Sequence, residues 1–345
     1  MSCRVRSYPT ATQDVPWPGW LDIADAEAQH ADLPSDEHGS LSSVQRASIL
    51  DPEERQWVHV QPWLESKGYM SRPRFRPGWR PSWSESATKD DLPKHDDSYP
   101  GCSHVMDAFR ISDERHVALK RFELPANGRN ELEVNTILSS EPLRDDPRNP
   151  ALPMLEVIHA PNQCFMVFPV GKEIFDFCPA TVGEGLDFIE QTLQGLVFLH
   201  EKRIAHRDCS IANLLMDPSR MYPHGIHVDD HRLNGRGKCI SHVRTRTQVG
   251  GVKYYYIDFG ESIKFGPLDN TRITIHSKAS IFAPETTDDV LLPYDAFKPD
   301  IFTLGVTYTQ RIAKVLVSWR SLSVSLMNLA SLTPLSTHFF LSSMQ

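Results

Sequence analysis

The chain has 345 residues, 40% of them hydrophobic, and a formal net charge of −8 from 44 acidic and 36 basic side chains. That is length enough to bury one large core or two small ones, and the acidic balance argues against nucleic acid or anionic membrane as a partner, since both call for a basic face. The six cysteines, at 3, 102, 164, 178, 209 and 239, form no Cys-x-x-Cys, and the opening residues have no apolar core, so a reduced intracellular protein, cytoplasmic or nuclear, is expected.

Residues 1–95 are rich in Pro, Asp, Ser and Trp and carry little regular periodicity, which reads as a partly disordered N-terminal region. Within it Trp57, Trp63, Tyr69, Phe75, Trp79 and Trp83 are spaced among Arg and Pro. Rings at that density seek cover, so 57–84 is expected as an extended segment docked on the main body rather than as a base-stacking surface.

From about residue 96 the pattern changes. Val105 to Ile111 and His116 to Phe122 read as strands around the turn-like Ser112-Asp113-Glu114-Arg115, Asn130 to Ser139 as a helix, and Met154 to Ile158 and Cys164 to Val170 as further strands. After Gly171 the chain turns mainly helical, most clearly over 182–200, with short strands at Leu214-Leu215-Met216 and Tyr254 to Ile257. Strands first and helices second predict an α+β fold.

The chemistry-bearing residues fall in the second half. Residues 206–213 read His-Arg-Asp-Cys-Ser-Ile-Ala-Asn, Asp258-Phe259-Gly260 begins 45 residues after Asn213, and Ala283-Pro284-Glu285 follows. Upstream stands Val117-Ala118-Leu119-Lys120. Each tetrad or triplet alone is an ordinary strand or turn; their order and spacing lift them. In these motifs the chain resembles the eukaryotic protein kinases, and in particular a fungal group of kinase-like proteins. The resemblance implies a two-lobed fold over 96–310, with an N-lobe at 96–168, a hinge at 169–171 and a C-lobe at 172–310 that contains an insert at 218–251.

It also implies roles. Asp208 would take the proton of an attacking hydroxyl, and Asn213 and Asp258 would hold Mg2+ against the phosphates of ATP through hard oxygen ligands. Lys120 would grip the phosphates, partnered by a helical glutamate: Glu133, which Val134 follows, with Glu131 as its rival. Pro169, Val170 and Gly171 would receive adenine, with Phe168 as gatekeeper. Glu285 and Asp300 would be structural. The expected activity is ATP-dependent transfer to a protein hydroxyl, Ser/Thr more than Tyr, on a protein substrate and in an oligomeric state that the sequence does not specify. A catalytically weak module that binds nucleotide or partners is the alternative, and a small-molecule kinase is a third reading disfavoured by Arg207 and the Ala-Pro-Glu triplet.

Several positions depart from that pattern. Counting back from Lys120, the glycine-rich phosphate loop is replaced by Ser98, Pro100 and Ser103, with Gly101 nearby, which should weaken or reshape nucleotide binding. Ser210 stands where Ser/Thr kinases carry lysine. Arg207 is retained as a partner for a phosphate on Thr271, Thr274, Ser277 or Ser280. The connection from Asn213 to Asp258 is longer than usual by roughly thirty residues, and its His224, His227, Asp229, Asp230, His231, Cys239 and His242 are zinc-ligand types without a metal-module spacing, so solvated histidines are the simpler reading. Cys209 is expected as a packed core thiol. Residues 311–345 form an atypical Ser/Leu-rich tail, so the C-lobe is expected to lack its last helices and to expose an apolar face. Residues 321–341 carry no Asp, Glu, Lys or Arg, but Asn328, Pro334, His338 and many Ser and Thr interrupt the run of about twenty apolar residues that a spanning helix needs.

Overall fold

Asp51 begins the first substantial element. Its carboxylate accepts from the Glu54 amide while the Glu54 side chain accepts from the Asp51 amide, and Pro52 occupies the first helical position. This reciprocal cap starts a 15-residue helix, α2 (Pro52–Ser66), after the short α1 (Ser43–Ala47). The computed structural model describes residues 15–20, 42–83, 88, 104–123, 129–174, 179–227, 233–234, 238–240, 242–276, 278–286 and 292–313. The positions of the expected glycine-rich loop and the tail beyond residue 313 lie outside them.

The aromatic segment is therefore helical from Trp57 to Ser66, where an extended course was expected throughout, and continues into strand at Tyr69–Ser71. Trp57, Val60, Trp63 and Leu64 recur at helical spacing and are buried on one face of α2. They cover a five-stranded antiparallel sheet of order β1-β2-β3-β5-β4, made of Tyr69–Ser71, Val105–Arg110, Arg115–Glu123, Gln163–Pro169 and Glu156–Ala160 in that order. Phe165 of β5 lies at the centre of this layer, with the rings of Trp63, Trp57, Trp17 and Trp20 at 5.8, 6.0, 6.1 and 6.5 Å. Arg74, 1% exposed, fixes the far side: it bonds both Glu54 carboxylate oxygens at 2.5 and 2.7 Å and the Ala47 and Ile49 carbonyls.

The other face of the sheet carries α3 (Arg129–Leu138), after which the chain leaves β5 at Pro169. A Cβ on Gly171 would come within 2.6 Å of the Leu215 side chain, so this crossing admits glycine alone without a shift. Beyond it lie β6 (Lys172–Glu173), the 20-residue α4 (Val182–Glu201), β7 (Ile204–Ala205), β8 (Leu214–Met216), β9 (Tyr254–Tyr256), β10 (Ile263–Lys264), β11 (Arg272–Ile273), β12 (Tyr294–Asp295) and α5 (Lys298–Tyr308). Their shared core includes Phe188, Leu196, Phe198 and Leu199 of α4 with Leu214, Tyr254, Tyr256, Phe259 and Leu304. The molecule is thus a mixed α and β structure with its largest sheet early and its longest helix late. On α4, Val182, Leu186, Leu193 and Val197 are exposed, and no helix among the described residues is long and apolar enough to cross a membrane.

The long connection from β8 to β9 packs inward at both of its ends. Met221, Tyr222, Ile226, Val249 and Val252 join the main core, and Glu184 of α4 accepts from both the amide and the hydroxyl of Thr247 at 2.8 and 2.7 Å. His227, 3% exposed, meets Arg72 at 3.3 Å. Arg72 in turn bonds Asp107 of β2 at 2.7 Å, and His116 of β3 meets the second Asp107 oxygen at 2.8 Å. His227 is therefore a structural partner, while His224, Cys239 and His242 are exposed. Among the described residues no group of three His, Cys, Asp or Glu could hold a metal ion; Asp229, Asp230 and His231 lie outside them.

Burial alone would raise the Asp107 pKa, but the Arg72 charge, the His116 hydrogen bond and the nearby His227 overcome it and bring it from 3.8 down to about 2. A carboxyl depressed in the folded state contributes stability above its unfolded pKa and loses it as pH falls through the folded value. The expected result is a loss of about 2 kcal/mol between pH 4 and pH 2 that Asp107→Asn removes, read from urea midpoints across that range. An acid dependence identical in the two proteins would show that Asp107 is not its source.

Candidate active site

Three elements meet at Lys120. Strand β3 sets it opposite Val105 on β2 and Met166 on β5. Its ammonium bonds Glu131 Oε1 of α3 at 2.6 Å and Asp258 Oδ1 at 2.8 Å. This corrects the expectation that Glu133 is the partner. On α3 the buried residues are Glu131, Val134, Asn135 and Leu138, one helical face, whereas Glu133 is exposed. Glu133 instead lines a cavity of about 420 Å³ with Glu201, Lys202, Arg203 and Lys264, and none of Lys120, Asp208, Asn213 or Asp258 borders it.

The trio is electrostatically coupled. Burial works against the Lys120 charge, but Glu131 and Asp258 more than offset it and raise the ammonium pKa. For Asp258 burial is again outweighed, chiefly by Lys120, so its carboxyl is held below the usual range. Glu131 is the more buried acid and goes the other way, raised by desolvation despite Lys120. Lys120 therefore stays charged, and Asp258 is the more firmly ionised of its two partners.

Asp258 has a left-handed backbone, φ +61°, as does Arg207, φ +69°. Such conformations cost non-glycine residues about 1–3 kcal/mol and persist where the surroundings enforce them. At Arg207 the enforcer is Asp300 of α5, fully buried, whose carboxylate accepts from the amides of His206 and Arg207 at 2.9 and 2.5 Å and meets His200 at 2.8 Å. The Arg207 guanidinium donates to the carbonyls of Glu261 and His276. The His206 ring lies between strands: Nδ1 accepts from the Asp208 amide at 3.3 Å, which leaves the Nε2 hydrogen for the Ile257 carbonyl at 3.0 Å. Burial lowers its pKa, so the ring is neutral in this arrangement.

Two strand pairs, β7 with β10 and β8 with β9, thus hold 206–213 alongside 257–262. The Ile257 amide bonds the Asn213 carbonyl at 3.0 Å, and Asn213 Nδ2 donates to the Asp208 carbonyl at 3.0 Å. That bond turns the Asn213 amide oxygen to the opposite side. Asp208 Oδ1 is buried with no hydrogen-bond partner among the described residues, a rare state for a carboxylate oxygen and one found at catalytic positions. Its Oδ2 accepts from Ser280, both amide and hydroxyl, at 3.2 Å. That contact was not foreseen: Ser280 reads in the sequence as one of four hydroxyls available to Arg207.

The remaining expected residues lie at the end of β5 and just past it. Pro169 pairs with Val117, Phe168 with Ala118, and Val170 packs against the main core. No ion pair to Glu285 occurs among the described residues. Cys209 is fully buried, with its thiol pKa pushed well up by desolvation, as a packed core thiol should be. Compared with models of known protein families, the chain matches none.

Proposed function

We propose that the chain is a two-lobed protein kinase that transfers the γ-phosphoryl group of ATP to a protein hydroxyl, serine or threonine before tyrosine. The observation that carries this reading is Lys120, a cation held between Glu131 and Asp258 at 2.6 and 2.8 Å beside a loop that presents Asp208 and Asn213. Phosphoryl transfer asks mainly for positioning and for cations placed against the phosphates. Lys120 supplies one such charge. Asp258 and the Asn213 amide oxygen are hard donors of the kind Mg2+ takes, so the residues fit that ion. When bound there it would neutralise phosphate charge. Asp208 would orient the attacking hydroxyl and take its proton on a carboxylate oxygen. The left-handed turns at Arg207 and Asp258, held by Asp300 and by Lys120, fix both acids before substrate arrives.

The sequence positions Ser98, Pro100, Ser103 and Ser210 favour a second reading, a module that binds nucleotide without turnover. Thermal unfolding and phosphotransfer decide between them. Saturating Mg-ATP at a hundred times its dissociation constant should add about 2.7 kcal/mol, raising the midpoint by about 5–10 °C. Asp208→Asn should keep that rise and lose about 100-fold or more of the transfer to a serine- and threonine-rich acceptor protein. A rise with equal, negligible transfer in both proteins would select the binding module, and no rise would defeat both readings.

A further inference from the structure

Four apolar side chains of α4 stand in water along one line. Val182, Leu186, Leu193 and Val197 are 53, 59, 45 and 55% exposed. At about 100° per residue they fall within an arc of about 60°, along roughly 22 Å of helix. Phe188, Leu196, Phe198 and Leu199 face the core from the other side of α4, so the stripe takes no part in that packing. Exposed aliphatic residues scattered singly need no explanation, whereas a continuous line of them marks an interaction surface.

The described chain ends beside this line. The hydroxyl of Tyr308, at the end of α5, lies 2.7 Å from Thr192 Oγ1 and 3.4 Å from the Ile189 carbonyl, both in the middle of α4, and the described residues stop at 313. In the sequence that follows, Val315, Trp319, Leu322, Leu326 and Leu329 recur at alternating steps of four and three residues, and Pro334 comes after them. That spacing puts one apolar seam on a helix, and a proline marks its stop. Between Val315 and Thr333 the one charged residue is Arg320, while Glu190 is exposed beside the α4 stripe, so the signs suit each other.

We propose that residues 315–333 of the same chain lie along α4 as a helix and cover Val182, Leu186, Leu193 and Val197. Magnitude selects this segment over a second copy of the chain. A stable interface between separate molecules buries about 1,200–2,000 Å² and takes about 20–30 residues a side, far more than four half-exposed side chains offer. A segment tethered a few residues away is held at an effective concentration on the order of millimolar, so a short seam suffices. The docking also supplies the packing that an isolated helix of this length lacks in water. Nothing in it requires phosphoryl transfer.

The test uses the full chain with benzoylphenylalanine in place of Leu193, a side chain already half exposed, illuminated and mapped by mass spectrometry. The expected product is a cross-link to the 315–333 span at the mass of one molecule, in a yield unchanged by a 100-fold dilution. Leu326→Asp should cut that yield by about tenfold or more and keep the cooperative unfolding transition. Hydrogen exchange on the unmodified chain gives a second reading. Amides of 315–333 should exchange about 100-fold more slowly than in a free peptide, and Leu186→Asp should abolish that protection. A cross-link at twice the mass, in a yield that falls with dilution, would assign the stripe to a second copy and overturn the proposal. Cross-links to another segment, or an unchanged yield in Leu326→Asp, would overturn it as well. Exchange at the free-peptide rate over 315–333 would do so whatever the cross-linking yield.

Discussion

A chain that begins at residue 96 should not fold. That boundary follows the change in sequence pattern, yet it removes α2, β1 and Arg72, which the rest of the molecule needs. Without α2 the outer face of the sheet, with Met106, Ala108, Val117, Leu119, Phe165 and Val167, loses its cover. Truncating one buried tryptophan costs about 3–5 kcal/mol, and both Trp57 and Trp63 would go, against a total stability of about 5–15 kcal/mol for a domain. Loss of Arg72 removes the main charge that keeps buried Asp107 ionised, and breaking a buried pair from one side costs about 3–5 kcal/mol more. Loss of β1 turns β2 into an open edge. The check is thermal unfolding followed by circular dichroism. The full chain should give a cooperative transition, and the shortened chain a sloping signal without a midpoint. A cooperative transition in the shortened chain within a few degrees of the full one would show that 1–95 is an accessory.

The second large effect separates two glutamates two positions apart. Glu131→Gln should lower Mg-ATP turnover by about 100-fold, the scale seen when one preorganised electrostatic contact is lost from a site, because Lys120 then keeps Asp258 alone as an anionic partner among the described residues. Glu133→Gln, on the exposed side of the helix, should change turnover less than twofold and stability by less than about 0.5 kcal/mol. Steady-state rates and urea midpoints on the two variants settle the matter. Equal losses in both, or a loss confined to Glu133→Gln, would reject the pairing.

That pairing was within reach of the sequence. Val134 and Leu138 are the apolar residues that α3 buries, and three residues before Val134 stands Glu131, on their face, whereas Glu133 lies well round the helix. Proximity to Val134 in sequence was the wrong criterion; helical phase was the right one. The strands of the large sheet were legible because alternating apolar residues and short polar turns mark them, and Val105–Arg110, Arg115–Glu123 and Gln163–Pro169 fall within one residue of where the pattern puts them. The helix α2 was missed although Asp51, Pro52 and Glu54 spell its start, because the prolines and tryptophans around it mask the period and Pro62 falls inside it. Two contacts had no local signal at all. Ser280 reaches Asp208 across 72 residues of chain, and His227 reaches Arg72 across 155. Only the tertiary path brings such residues together.

The bond between Arg72 and His227 also orders events in time. During synthesis from the N-terminus, Arg72 and Asp107 are 35 residues apart and can pair as soon as β2 has emerged, and the hairpins of the sheet can close soon after. His227 arrives 155 residues behind Arg72, carried on a connection whose own cover, Glu184 and the core around Phe188, has to be in place to present it. Contacts that close such long loops form late and limit the rate at which a fold completes. The sheet and its tryptophan layer can thus assemble as a platform before the seam between Arg72 and His227 joins it.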